Sequence, residues 1–176
     1  MSVKEIITRL KPLDFFLYHH SFVSGEKQKS FKVTYYLDKE TKHFYTKATF
    51  TEEAQGPPNH VHGGVTSAIF DEALGGTAWF NGYPVFTAQL NLTFKIPVKI
   101  TTEIFVDSWI EKIEKKKIYL KGIMADSNDT VYAEALGIYL IQKLEVLQKM
   151  GNLSDDYFDS IKNNLGINFH QLEEKV

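Results

Sequence analysis

The segment VTSAIFDEALGGTAWF (65–80) constrains this chain more than any other. Val65, Ala68, Ile69 and Ala73 recur at helical spacing, and only Asp71 and Glu72 carry charge. A helix so apolar on every side has to be buried nearly all round. Gly75-Gly76 inside it costs roughly 1 kcal/mol per glycine relative to alanine, a cost that close packing against another backbone would offset. Just before it, Pro57-Pro58 forbids regular structure and Gly63-Gly64 allows unusual backbone angles. Asn81-Gly82-Tyr83-Pro84 ends it.

Such a helix needs a cover, and the rest of the chain reads as strands. KSFKVTYYL (29–37) and HFYTKATF (43–50) alternate and are rich in β-branched and aromatic residues, with Asp38-Lys39-Glu40-Thr41 as a hairpin loop between them. Four more strand patterns follow the helix, at about 85–94, 101–113, 117–126 and 130–141. Their separators, Ile96-Pro97-Val98, Glu114-Lys115-Lys116 and Ser127-Asn128-Asp129, are short, which implies hairpins and so an antiparallel meander. These strands bury one long apolar helix only if the sheet wraps around it. The expected class is therefore α+β, an antiparallel sheet around a central helix of about 64–80, with short helices at both ends. Near the N-terminus, Val3, Ile6, Ile7 and Leu10 keep helical intervals until Pro12 stops them. Residues 13–23, with His19 and His20, take no firm pattern, and SGEKQ (24–28) reads as a turn. The tail is polar and helix-prone, broken at Gly151 and Gly166. The expected division is a domain over 1–143 and a helical extension over 144–176.

Composition excludes several classes. A formal charge of −2 provides no basic footprint for nucleic acid. The absence of cysteine removes disulfides, thiolate chemistry and cysteine zinc sites together. Lys4, Glu5 and Arg9 interrupt the apolar residues at the start, so no secretory leader is expected. No stretch approaches the ~18 apolar residues of a membrane span. The expected location is cytoplasmic.

The stretch GPPNHVHGGVTSAIFDEALGG (56–76) resembles the signature of hotdog-fold acyl-CoA thioesterases of the phenylacetate-degradation and mitochondrial thioesterase-superfamily types. In that family a His-Gly-Gly triplet opens the central helix, and a catalytic Asp lies nine positions after the His. His62-Gly63-Gly64 and Asp71 keep that spacing. Thr87-Ala88-Gln89-Leu90-Asn91 is similar to the context in which the mitochondrial type places a catalytic Thr, and Phe94-Lys95-Ile96-Pro97 resembles the family's strand end. The likeness covers roughly residues 29–142. It implies a hotdog fold, hydrolysis of an acyl-CoA to carboxylic acid and CoA, and no cofactor beyond the coenzyme A of the substrate. It further implies a homodimer or a dimer of dimers, with sites at the subunit interface that take carboxylate and oxyanion donor from different subunits. Thr87 would then orient the water or the carboxylate, and basic residues near strand ends would meet the CoA phosphates, with Lys95, Lys99 and Lys115-Lys116-Lys117 as the candidates. Two positions depart from the family pattern. Asn59 stands where a Gly usually follows Pro-Pro, and Gln55 is shifted by one from the amide that phenylacetate-type relatives place ahead of the triplet. Asn tolerates left-handed angles better than most residues, so the loop can keep its shape.

The chemistry of these residue types leads to the same place. The first turn of a helix presents unpaired N–H groups and the positive end of its dipole. Gly63-Gly64 clears side chains from that turn, so a thioester oxygen can approach the Gly64 N–H as in an oxyanion hole. Asp71, two turns on, shares an apolar stripe with Ala68, Leu74, Gly75 and Ala78. A carboxylate there is costly unless partnered; it can activate water as a base or attack the carbonyl itself. Glu72 is the adjacent rival. His62 either shapes the loop by hydrogen bonding or acts on the thioester directly. Gly63, Asn59, His60, Gln55, Lys95 and Phe86 complete the candidate substrate-binding set. Trp79, Phe80, Tyr83 and Phe86 are either the wall of an acyl pocket or ordinary core. His60-x-His62 with Asp71 has too few companions to suggest a metal, and Lys115-Lys116-Lys117 is by default a solvated hairpin tip. Two other functions compete: an acyl-thioester hydratase or dehydratase, whose motifs are missing, and a non-catalytic acyl-CoA sensor, which needs neither Asp71 nor Thr87.

Overall fold

Helix α2 (Gly63–Phe80) packs against five strands of a single six-stranded antiparallel sheet. The strands are β1 (Phe31–Leu37), β2 (Phe44–Phe50), β3 (Val85–Phe94), β4 (Ile104–Glu114), β5 (Lys117–Ala125) and β6 (Val131–Ile141), in the spatial order β1-β2-β4-β5-β6-β3. The computed structural model describes residues 2–13, 21–25, 27–151, 159 and 169. A sheet curled around one long helix is the hotdog arrangement that the resemblance implied. The expected four-strand meander holds only for β4-β5-β6: the separator Ile96-Pro97-Val98 is not a hairpin, since β3 pairs with β6 at one edge while β4 pairs with β2.

The apolar sequence of α2 is explained by its surroundings. Ile69, Phe70, Ala73, Leu74 and Ala78 are fully buried, in one core with Ile104, Val106, Ile118, Leu120 and Met124 of the sheet. Gly76 makes room for the Phe44 ring, two of whose carbons lie 2.9 Å from where a Cβ would stand. The buried Thr77 hydroxyl donates to Ser108 Oγ, and Ser108 donates to the Phe44 carbonyl, each at 2.8 Å. These bonds tie α2 to β4 and β2, and spare both hydroxyls the ~1–3 kcal/mol of an unmade buried hydrogen bond.

The ends differ in detail from the periodic pattern. Helix α1 is only Val3–Ile7, opened by a reciprocal Ser2–Glu5 capping box. Beyond it the N–H groups of Arg9 and Leu10 close tight turns on Ile6 and Ile7. Pro12 forms an isolated bridge with Tyr36, and the residues before a proline are pushed from helical towards extended angles, so the helix stops early. All four apolar positions of the pattern still pack, Ile7 being buried against Tyr45 and Phe105 with Val3, Ile6 and Leu10 around it. Strand β4 begins at Ile104 because residues 99–102 close a turn first, the Thr102 N–H donating to the Lys99 carbonyl. Helix α3 (Leu144–Gly151) buries Leu147 against Tyr35, Phe44 and Phe80. The unpatterned residues 14–20, with His19 and His20, and most of the tail beyond 151 lie outside the described residues. Among the described residues, no helix is long and apolar enough to cross a membrane.

The two sheet edges are unlike. The outer edge of β1 meets the N-terminal segment, where the Leu13 N–H donates to the Tyr35 carbonyl. Strand β3 is the other edge, and among the described residues no strand pairs with its outer side.

Candidate active site

Asp71 points from the middle of α2 to the β3–β6 pair. Thr87 of β3 and Tyr139 of β6 are register partners there. Thr87 Oγ1 donates to Asp71 Oδ1 at 2.8 Å, and the Tyr139 hydroxyl donates to the same oxygen at 2.9 Å. The Tyr139 hydroxyl also lies 3.2 Å from the Asp71 carbonyl oxygen. The half-buried carboxylate thus obtains from the sheet the partners that its own helix lacks. Immediately after Thr87 the β3–β6 register shifts, a bulge that re-aims the strand at this point. Burial pushes the Tyr139 phenol well above its usual range and the Asp71 charge adds to it, so the phenol keeps its proton and remains a donor.

Glu72, the adjacent carboxylate, is held elsewhere. Its Oε1 accepts from the hydroxyls of Ser21 and Tyr35, each at 3.4 Å. Burial raises its carboxyl above the usual range.

At the start of α2 the side chain of His62 is the helix cap. Its Nδ1 accepts the Gly64 N–H at 2.9 Å, so the donor assigned to the oxyanion is already engaged within the chain. His62 is exposed, and its ring has solvent to turn into. Gly64 and Asp71 stand seven residues apart on one helix, a rise of ~10 Å. Helical N–H groups point back along the axis, away from Asp71. A carbonyl oxygen held at Gly64 therefore lies beyond the reach of Asp71 in the same chain.

The loop before the helix is braced by its own polar groups. Asn59 takes the left-handed φ of 63°, and its N–H donates to Gln55 Oε1 at 3.0 Å. His60 Nδ1 donates to the Pro58 carbonyl at 2.8 Å. The Val61 N–H donates to the Val98 carbonyl, and the Ile100 N–H to the Asn59 carbonyl, fastening the loop to residues 98–100. Gln55, Asn59 and His60 therefore shape this loop, while Gly63 sits at the helix start near the exposed ring of Phe94.

Several candidates are not brought to Asp71. Phe86 pairs with Leu140, one residue out of step with Thr87 and Tyr139, and so lies on the opposite face of the sheet. Lys95 pairs at the surface with Glu134. Phe80 stacks on Phe44 with ring centroids 5.1 Å apart, and Trp79 meets Phe169 edge-on at 6.0 Å, so this aromatic cluster does not converge on the carboxylate. Lys115, with φ of 55°, lies in the two-residue turn between β4 and β5.

Tyr139 is the residue that sequence reasoning missed. It reads as an ordinary strand aromatic. The available signal is Gly137, because a glycine within a strand often marks a place where something else comes close. A Cβ at position 137 would collide with the Tyr139 ring.

Residues 58–133 match the family model of the thioesterase superfamily. The chain is 39% identical over 93 residues to human acyl-coenzyme A thioesterase THEM5, an alignment that covers 52% of this chain and 37% of that protein. It is 34% identical over 87 residues to bovine acyl-coenzyme A thioesterase THEM4, covering 49% and 35%. The chain thus spans little more than a third of the length of these curated relatives. Among solved structures, the thioesterase superfamily protein RHA08564 superposes with a TM-score of 0.59 at 25% identity, over 62% of this chain and 53% of that one. The protein smu.793 of Streptococcus mutans, solved bound to acetyl CoA, superposes with a TM-score of 0.59 at 12% identity, over 70% and 96%, a likeness of fold.

Proposed function

We propose that this chain, whose residues 58–133 belong to the thioesterase superfamily, hydrolyses an acyl-CoA to the free carboxylic acid and CoA. Asp71 carries this reading: a carboxylate within an apolar helix, held through Oδ1 by two hydroxyls. With Oδ1 engaged twice, Oδ2 is the working oxygen. As general base it takes a proton from water while the water oxygen bonds to the thioester carbon. The C–S bond then breaks, and the sulfur receives the proton that Asp71 took. As nucleophile, Oδ2 bonds to the carbon itself and the C–S bond breaks, CoA leaving as its thiolate. Water then cleaves the resulting anhydride to the free acid and the Asp71 carboxylate, and the proton released passes to the thiolate. The Gly64 N–H, released when His62 turns aside, faces the carbonyl oxygen as negative charge builds there; one such donor is typically worth ~3 kcal/mol.

Gly64 and Asp71 serve one substrate only if two chains meet, given the ~10 Å between them along α2. The ten-residue open edge of β3 is a surface on which a second copy can extend the sheet. A homodimer joined along β3, with Gly64 of one protomer facing the partner subunit's Asp71, meets both needs, and two such dimers can stack. The names of the two acyl-coenzyme A thioesterases and the acetyl CoA bound by smu.793 support a CoA thioester as substrate. Lys95 and Lys99 are the basic residues assigned to its phosphates.

The test is a panel of acyl-CoAs from acetyl to palmitoyl, with phenylacetyl and benzoyl, in which free thiol is followed by a chromogenic reagent. A chain without cysteine adds no background to it. One acyl class is expected to turn over, and Asp71→Asn to lose at least ~100-fold. Equal activity in the variant would remove Asp71 from the mechanism. No turnover, together with a rise in melting temperature on adding an acyl-CoA, would make the protein a binder.

A further inference from the structure

We propose that Tyr139 is a positioning residue for this reaction, fixing the Asp71 carboxylate so that Oδ2 alone is presented to the substrate. The proposal rests on the thioesterase reading and adds a residue to its machinery. Thr87 by itself leaves Asp71 with one donor, from an exposed position beside a bulge. A carboxylate held by one hydrogen bond can still swing about its Cβ–Cγ bond. Tyr139 supplies the second donor from a neighbouring strand and converges on the same oxygen. Its hydroxyl also reaches the carbonyl oxygen of Asp71, so the side chain and the backbone of one residue are both gripped.

The place of this ring is built by the sequence around it. Tyr139 is 1% exposed, and its register partner on β5, Ile118, is fully buried. Gly137 leaves the space that the ring occupies, and a Cβ at Gly75, four residues after Asp71 on α2, would stand 3.9 Å from its edge. A buried, flanked phenol has little freedom to rotate, unlike a surface threonine. Its raised ionisation keeps it a proton donor throughout the range in which a thioesterase works.

Tyr139→Phe removes the hydroxyl and keeps the ring. The expected result is a fall in kcat of ~10-fold or more, as for a misplaced catalytic group, with KM little changed. The melting temperature should stay within ~2–4 °C of wild type. Crystal structures of wild type and variant give a readout that needs no substrate: the Asp71 carboxylate is expected to rotate or spread over two rotamers in the variant. An unchanged kcat, or a carboxylate that stays in place, would overturn the proposal. Should wild type hydrolyse nothing while Asp71 rotates in Tyr139→Phe, the positioning role stands and the thioesterase reading falls. Activity lost only in proportion to unfolded protein, with Asp71 unmoved, would make Tyr139 a packing residue.

Discussion

The imidazole of His62 accepts the N–H of Gly64 at 2.9 Å across the first turn of α2. The cap and the oxyanion contact therefore compete for one donor. His62→Ala removes the cap and should cost ~0.5–2 kcal/mol in chemical denaturation. It leaves the N–H open to a thioester oxygen, so kcat should largely survive. A loss of ~100-fold or more would instead give the imidazole an acid–base role at the thioester.

The paired glycines of α2 should respond to alanine with opposite signs. At Gly76 a methyl would stand 2.9 Å from two carbons of the fully buried Phe44 ring. Overpacking of that kind costs ~1–3 kcal/mol, against a gain of about 1 kcal/mol in helix propensity, so Gly76→Ala should be less stable. At Gly75 the nearest atom is 3.9 Å away, an ordinary contact. Gly75→Ala should therefore gain up to ~1 kcal/mol. Urea unfolding of the two variants measures both, and shifts of the same sign would contradict this packing.

Glu72 should make stability depend on pH. Burial raises its carboxyl, the Ser21 and Tyr35 hydroxyls oppose that, and the Asp71 charge adds to it. The folded chain then keeps a proton there in a range where the unfolded chain, at the ordinary value of 4.5, has lost it. Stability consequently falls as pH rises through that window, and the loss is complete above the raised value. Glu72→Gln keeps an acceptor for both hydroxyls without the charge. Melting curves should show it more stable than wild type near about pH 7, with the difference shrinking below about pH 4 as wild type becomes protonated. No gain near neutrality would mean that the two hydroxyl bonds outweigh burial.

Much of the fold was legible because burial leaves a period in the sequence. The run 65–80, charged only at Asp71 and Glu72, demanded a cover, and short separators correctly gave the hairpins β4–β5 and β5–β6. The separator Ile96-Pro97-Val98 misled, because a short link does not by itself make its two strands neighbours: β3 pairs with β6 and β4 with β2. Strand β3 falls where its alternation placed it, and the other elements begin or end within a few residues of their patterns. Asp71 stood out for the same reason, as a charge where the helical period calls for apolar side chains. The resemblance added Thr87 and Gly64, which periodicity does not distinguish from their neighbours.

Tertiary structure decided which groups meet. Tyr139 is 68 residues from Asp71, and only the β3–β6 register sets its hydroxyl beside that of Thr87. The same register turns Phe86 to the other face, since one step along a strand reverses a side chain's direction. The bond from Gly64 to His62 spans only two residues, yet it depends on a rotamer that no residue pattern encodes. Sequence by itself determined the helix, its cover and the carboxylate that disturbs it, because each follows from where water is excluded. The fold alone chose the partners of that carboxylate, because hydrogen bonds between distant segments depend on register and distance to within an ångström.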